Sequence, residues 1–376
     1  MLKKAMLFTP GPTPIPDRVL RAMATPIPYH RAEDFKKLLG ELRVQLKSLF
    51  GTKNEVAILS SSGTGGMEAA LTSLLRKSDR VLVVDGGKFG ARFAKMSHAF
   101  GLSTDVVKVE WGSAVTIAQI EKAMNGGHAA LCIQMSETST GTQHPIREIA
   151  QWLKKNHPKC LLIVDAITAV GAMHVPMDEW QIDALISGSQ KALMLPPGLA
   201  FVAVSDHAKA AMKLSDLPKF YFDLQKELQQ IEQNQTAFTP AISLILGLKE
   251  SLAMLSEEGL ENVYKRHLGI AEATRKALQH LGLKLASSSP SVACTAAYLP
   301  EKLDGKAFLK KIREQHGFLI AGGQDDWEGR VLRLSHLGYY SAFDLMNAVA
   351  AIGAELRRAG HSPNTSKATE EFLSLI

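Results

Sequence analysis

With 376 residues, 46% apolar and 21% charged, the chain has the composition of an ordinary folded protein and the length to divide into two cored units. Its formal charge of +6 comes from 43 basic and 37 acidic residues dispersed among one another, with no basic stripe or aromatic platform; that excludes a nucleic-acid binder and suits small anionic substrates. No apolar run approaches the roughly 18–20 residues of a membrane span, and Cys132, Cys160 and Cys294, odd in number and widely spaced, fit a reducing cytoplasm without a disulfide framework or metal cluster.

Residues 1–15 are apolar and then proline-rich, and predict an extended arm. Phe35, Leu38, Leu39, Leu42, Leu46 and Leu49 recur at helical spacing, so this segment reads as an amphipathic helix closed by Gly51, with a core-facing leucine stripe. Val56-Ala57-Ile58-Leu59 then runs into Ser60-Ser61-Ser62-Gly63-Thr64-Gly65-Gly66 and Met67-Glu68-Ala69-Ala70-Leu71: strand, small-residue turn, helix. The free N–H groups of such a helix start, its dipole, and the hydroxyls of Ser62 and Thr64 make an anion site suited to phosphate; the plainer reading is a capped helix start.

From Val56 to Val204 seven short apolar runs alternate with helical stretches, which predicts βαβ units, an α/β fold and a mostly parallel seven-stranded sheet. One run, Cys160 to Val164, ends in Asp165, placing an acid at the usual ligand crevice of such a sheet. Another, Ile182 to Ile186, leads into Ser187-Gly188-Ser189-Gln190-Lys191-Ala192 and then Pro196-Pro197-Gly198, so a strand stops and delivers one lysine. A lysine held in partly apolar surroundings has a lowered pKa, and its neutral amine attacks carbonyls; alone, a lysine after a strand is as well read as a solvated loop charge.

After about residue 256 the composition shifts. Residues 257–281 predict a long charged helix, followed by strand, helix, strand, strand and a closing helix carrying Leu345, Val349, Ile352 and Leu356, which amounts to a smaller α+β unit. The predicted division is an arm at 1–15, a large domain at 16–255, a small domain at 256–360 and a loose tail at 361–376. Within the small domain Arg333 lies among Val331, Leu332 and Leu334, where a guanidinium serves either a structural ion pair or a bound carboxylate.

Cradle, strand-end aspartate and strand-end lysine, in that order, are the parts needed to hold pyridoxal 5′-phosphate. The chain resembles the class V aminotransferases of fold type I, closest to the alanine/serine–glyoxylate branch, in Thr9-Pro10-Gly11-Pro12-Thr13, Ser62-Gly63-Thr64, Glu137-Thr138-Ser139-Thr140-Gly141, Asp165-Ala166-Ile167, Ser187 to Ala192, Phe220-Tyr221-Phe222-Asp223 and Val331-Leu332-Arg333-Leu334. The resemblance implies a homodimer in which Lys191 holds the cofactor as a Schiff base and Asp165 pairs with its ring nitrogen. It also implies that Phe89 stacks on the ring, Thr138 bonds its phenolic oxygen, and Ser62, Gly63, Thr64 and Gln190 complete the cofactor site. Gly11, on an arm packed across the dimer, and Arg333 would meet the substrate. Thr236 and Thr239 are assigned to a neighbour's phosphate as substitutes, because some relatives carry tyrosine and threonine where this chain has Gln235 and Phe238. Amino transfer from alanine or serine to glyoxylate or pyruvate is the implied reaction. The alternatives are a cysteine desulfurase-like lyase, which Gln190 and the strand-like setting of Cys294 disfavour, and a non-catalytic subunit of a larger complex.

Overall fold

The computed structural model of the chain describes residues 5–375. The seven apolar runs form one sheet in the order Val56–Leu59, Ala200–Val204, Ala184–Gly188, Leu161–Asp165, His128–Gln134, Arg80–Asp85 and Ser103–Lys108. Ala200–Val204 runs antiparallel to both neighbours and every other adjacent pair is parallel. Every residue of Leu161–Asp165, Ala184–Gly188 and Ala200–Val204 is buried, which explains why these segments read as continuous apolar runs instead of alternating ones. The antiparallel strand also shapes the site, since it returns the chain along the lysine strand and turns residues 189–199 into a closed loop.

A second sheet has the order Met6–Phe8, Phe318–Gly322, Val331–Ser335, Cys294–Tyr298, Lys284–Leu285, and is backed by the helices Leu260–His280, Gly305–His316 and Ala342–Arg358. It has its own apolar core, including Phe8, Ile270, Phe308, Leu332, Leu334, Val349 and Ile352. The predicted helix over 257–281 is interrupted at Gly259, whose φ of 80° ends Ile242–Glu258 before Leu260–His280 begins.

Two terminal segments differ from expectation. The arm is not merely extended: Met6–Phe8 pairs in parallel with Phe318–Ile320 of its own chain, and Phe8 is fully buried, so three apolar residues gain a ladder and a core place. Residues 1–4 of the arm lie outside the described residues. The tail is not loose through 361–375, because Thr365–Glu370 is a helix capped by Asn364, which accepts from the Lys367 N–H at 3.1 Å. Ala368 and Phe372 anchor it with no exposed surface, against the helices Leu260–His280 and Ala342–Arg358. Residue 376 lies outside the described residues.

Candidate active site

Three parallel strands end side by side at one edge of the large sheet: Gln134 is level with Asp165, and Asp165 with Ile186. Asp165 is thus delivered to the crevice, while the lysine strand overshoots it by a few residues. Ser189 closes the loop that follows: its hydroxyl donates to the Pro196 carbonyl at 2.7 Å and accepts from Leu199 N–H at 3.1 Å. Pinned in this way, the loop turns Lys191 into a cavity of about 230 Å³ lined by Ser62, Gly63, Thr64, Phe89, Thr138, Asp165, Gln190 and Lys191, together with Arg92, Ser136, Ile167 and Thr168. Eight predicted residues, from five separate stretches of chain, share that cavity. A larger hollow of about 560 Å³, lined among others by Arg76, His157, Lys159 and His207, contains none of these residues.

The arm covers the lysine. Lys191 Nζ donates to the Pro10 carbonyl at 2.5 Å, and Thr13 donates to the Lys191 carbonyl at 2.9 Å. Gly11 has a φ of 136°, which favours glycine, and a Cβ there would lie 2.6 Å from Lys191 Cε. Burial lowers the Lys191 pKa to about 8, opposed by the Asp165 carboxylate. Burial likewise raises Asp165 to about 6, opposed by the Ile167 N–H that donates to Oδ1 at 3.0 Å and by the charges of Lys191 and Arg92. The lysine amine is thereby available in its neutral form near physiological pH.

Arg333 is buried on the second sheet and reaches back to this edge. Nε donates to the Gly322 carbonyl at 2.8 Å and one terminal nitrogen to the Thr138 carbonyl at 3.0 Å. Thr138 is therefore the joint between the cavity floor and the second sheet. Cys294, fully buried at the start of a strand, turns its thiol to the same carbonyl at 3.7 Å, and burial pushes its pKa up to about 11. Such a thiol is neither mobile nor a thiolate, so it is unsuited to the desulfurase role.

Thr236 and Thr239 do not enter the cavity of their own chain. They line a separate groove with Ser60, Tyr221, Glu227 and Phe238, where the buried Thr236 hydroxyl donates to the Phe238 carbonyl at 2.7 Å.

Two further residues, Glu137 and Arg92, belong to the site although no motif assigns them a role. Glu137 is fully buried and accepts from the N–H groups of Phe89, Gly90 and Ser139 at 3.0, 3.0 and 3.1 Å and from the Ser139 hydroxyl at 2.5 Å; Ser139 in turn accepts from Lys88 N–H at 3.0 Å. One carboxylate thus caps the helix Lys88–Ala99 and fixes Phe89 against the Thr138 turn. Burial raises it to about 7, opposed by those donors. Arg92 follows Phe89 at the i,i+3 spacing, which is the one sequence signal that could have placed both on one helix face.

The residues present fit pyridoxal phosphate. A helix start rich in N–H groups, a buried carboxylate, an aromatic face and a neutralisable lysine surround one cavity, and the buried Gln190 side-chain oxygen there has no partner within the protein.

Residues 5–324 match the family model described as aminotransferase class-V. The chain is 39% identical to the soluble hydrogenase small subunit of Synechococcus sp., over 96% of this chain and 95% of that one. It is 37% identical to the serine–glyoxylate aminotransferase of Methylorubrum extorquens, over 93% and 90% of the two chains. Among solved structures, the subgroup IV aspartate aminotransferase of Thermus thermophilus superposes with a TM-score of 0.88 at 32% identity, over 94% of this chain and 99% of that one. On this match and on its fold type I architecture, the chain belongs to the class V aminotransferases.

Proposed function

We propose that this aminotransferase holds pyridoxal 5′-phosphate on Lys191 and moves an amino group from a small amino acid, alanine or serine, to glyoxylate or pyruvate. The observation that carries the reading is the meeting in one cavity of a buried lysine lowered to about 8 and a buried aspartate raised to about 6, with Arg333 adjoining through Thr138. When bound, the cofactor supplies the carbonyl with which Lys191 condenses and an electron sink for the substrate Cα.

Ser62, Gly63, Thr64 and Gln190 would hold the phosphate, Phe89 and Thr138 the ring, and Asp165 its nitrogen. Lys191, when its amine is free, would be the base that moves a proton off and onto the substrate Cα; its lowered pKa raises the neutral fraction available for that work. Asp165, as a carboxylate, keeps its ring partner protonated and electron-accepting. Arg333 orients the substrate carboxylate, its remaining N–H groups aimed by the two carbonyls that hold it. The arm at Pro10 and Gly11 shields the lysine from water. In this reading residues 16–255 hold the cofactor and 256–360 bring Arg333.

The proposal includes a cytoplasmic homodimer in which the 233–239 segment approaches the neighbour's cradle. Thr239 is exposed and free for that contact, whereas the Thr236 hydroxyl is occupied by Phe238. Among the described residues no helix is long and apolar enough to cross a membrane.

The test is the visible spectrum of the purified protein before and after alanine, serine or aspartate. A cofactor band should convert to a shorter-wavelength form with one donor and return with glyoxylate, and Lys191→Ala should lack the starting band. Absence of any band after pyridoxal phosphate is supplied refutes the reading. The hydrogenase-subunit relative favours a second reading, a subunit of a larger complex. Pull-down of the native protein separates the two: a clean homodimer supports the first, and stoichiometric other subunits with no turnover support the second.

A further inference from the structure

Arg92 stands on the helix Lys88–Ala99, and its guanidinium lies 4.8 Å from the Phe89 ring centroid while one terminal nitrogen donates to Thr64 Oγ1 at 3.0 Å. It lines the cavity, and among the described residues no carboxylate forms an ion pair with it. The other two cations nearby are engaged: Lys191 holds the Pro10 carbonyl, and Arg333 spends two of its nitrogens on the Gly322 and Thr138 carbonyls. Arg92 therefore lines the cavity with no ion pair holding its charge and with N–H groups to spare beyond the one given to Thr64.

Its place decides what that charge serves. Thr64 is in the first turn of the helix Gly63–Leu74, where unpaired backbone N–H groups already favour an anion. Because Thr64 Oγ1 accepts from Arg92, its own hydrogen is left to donate, so the guanidinium also orients the cradle's hydroxyl. The same guanidinium rests on Phe89, steadying that ring by a cation–π contact.

We infer that Arg92 is the cationic partner of the phosphate group held at the Ser62-Gly63-Thr64 helix start, and that it ties this cradle to the Phe89 ring platform. The inference rests on the proposed cofactor, and it assigns a role that neither the cradle motif nor the lysine motif carries.

The experiment strips the full-length protein of cofactor and titrates wild type, Arg92→Gln and Arg92→Lys with pyridoxal phosphate and, separately, with pyridoxal, which lacks the phosphate. Bound ligand is read by absorbance and inorganic phosphate serves as competitor. Arg92→Gln should weaken pyridoxal phosphate about tenfold to a hundredfold, weaken pyridoxal far less and lose competition by phosphate. Arg92→Lys should recover part of the affinity, keeping the charge without the planar fork. Equal weakening of both ligands makes Arg92 a prop for the platform only and overturns the inference, as does no weakening of either. Unchanged cofactor affinity with a raised KM for aspartate but not alanine assigns the guanidinium to a substrate's second carboxylate and also overturns it. If Arg92→Gln does not fold, Arg92→Lys decides, with a smaller loss confined to pyridoxal phosphate supporting the inference. A wild-type protein that binds neither ligand overturns the cofactor reading itself.

Discussion

Buried acids at the two ends of the large sheet are handled in opposite ways, apart from Asp85, which ends a strand outside the cavity and pairs with Lys108. At the amino ends Asp183, 1% exposed, accepts from Lys154 at 2.9 Å, the Ser205 hydroxyl at 2.8 Å and Leu162 N–H at 2.9 Å, with His207 Nδ1 at 3.1 Å. Glu55, just before Val56–Leu59, is held by both Arg43 and Lys47, and their hydrogen bonds outweigh burial and lower its pKa. At the carboxyl ends the hydrogen bonds to Asp165 and Glu137 come from neutral donors alone, and burial raises both. Residue types, burial and sheet are shared, so what differs is whether each charge is neutralised where it stands. A charge balanced in place is structural, and one left unbalanced in a cavity is available to a ligand.

Removing one acid at each end should break different properties. Asp183→Ala strands Lys154 and leaves the Leu162 N–H and Ser205 unmatched, and should cost about 3–5 kcal/mol of stability with turnover per folded molecule unchanged. Denaturant melts beside active-site-titrated kinetics measure both quantities. Asp165→Asn should do the reverse. An asparagine can still accept from Ile167 N–H and removes a carboxylate that burial disfavours, so stability should hold or rise while kcat falls about 10²–10³-fold through loss of one preorganised charge. If Asp165→Asn instead unfolds the protein and keeps its turnover, the contrast between the two ends is wrong.

What the sequence revealed of this contrast was local. Seven apolar runs, the helix ended by Gly51, Asp165 at a strand end and Lys191 in a small-residue turn were legible because each is specified by neighbours along the chain. Met6–Phe8 carries no strand signal in the sequence, since three residues show no alternation and its partner lies more than 300 positions away. The Thr365–Glu370 helix is masked by the turn-like Ser362-Pro363-Asn364, although Asn364 is a cap signal and Phe372 an apolar anchor. Glu137 and Arg92 look like ordinary members of a loop and a helix. Their roles arise only when the fold brings the start of Lys88–Ala99 against the turn after His128–Gln134 and against the start of Gly63–Leu74.

The smallest expected effect is also the most discriminating, because it reads one amine. With a pKa of about 8, Lys191 is about 10% neutral at pH 7 and about 90% at pH 9, so the rate at which the cofactor-free protein takes up pyridoxal phosphate should rise about ninefold and then level off. A solvated lysine near 10.5 would give about a hundredfold rise with no plateau by pH 9. The charged groups acting on Lys191 fix the direction of each further shift: the Asp165 carboxylate raises its pKa, while Arg333 and Arg92 lower it. A carboxylate stabilises the ammonium, so Asp165→Asn must move the profile to lower pH and Arg92→Gln to higher pH. Asp183→Asn, its carboxylate at the far end of the same strand already balanced by Lys154, should leave the profile where it is. A shift of equal size in all three variants would mean that the sheet transmits charge regardless of local pairing, and the distinction between its two ends would have no chemical content.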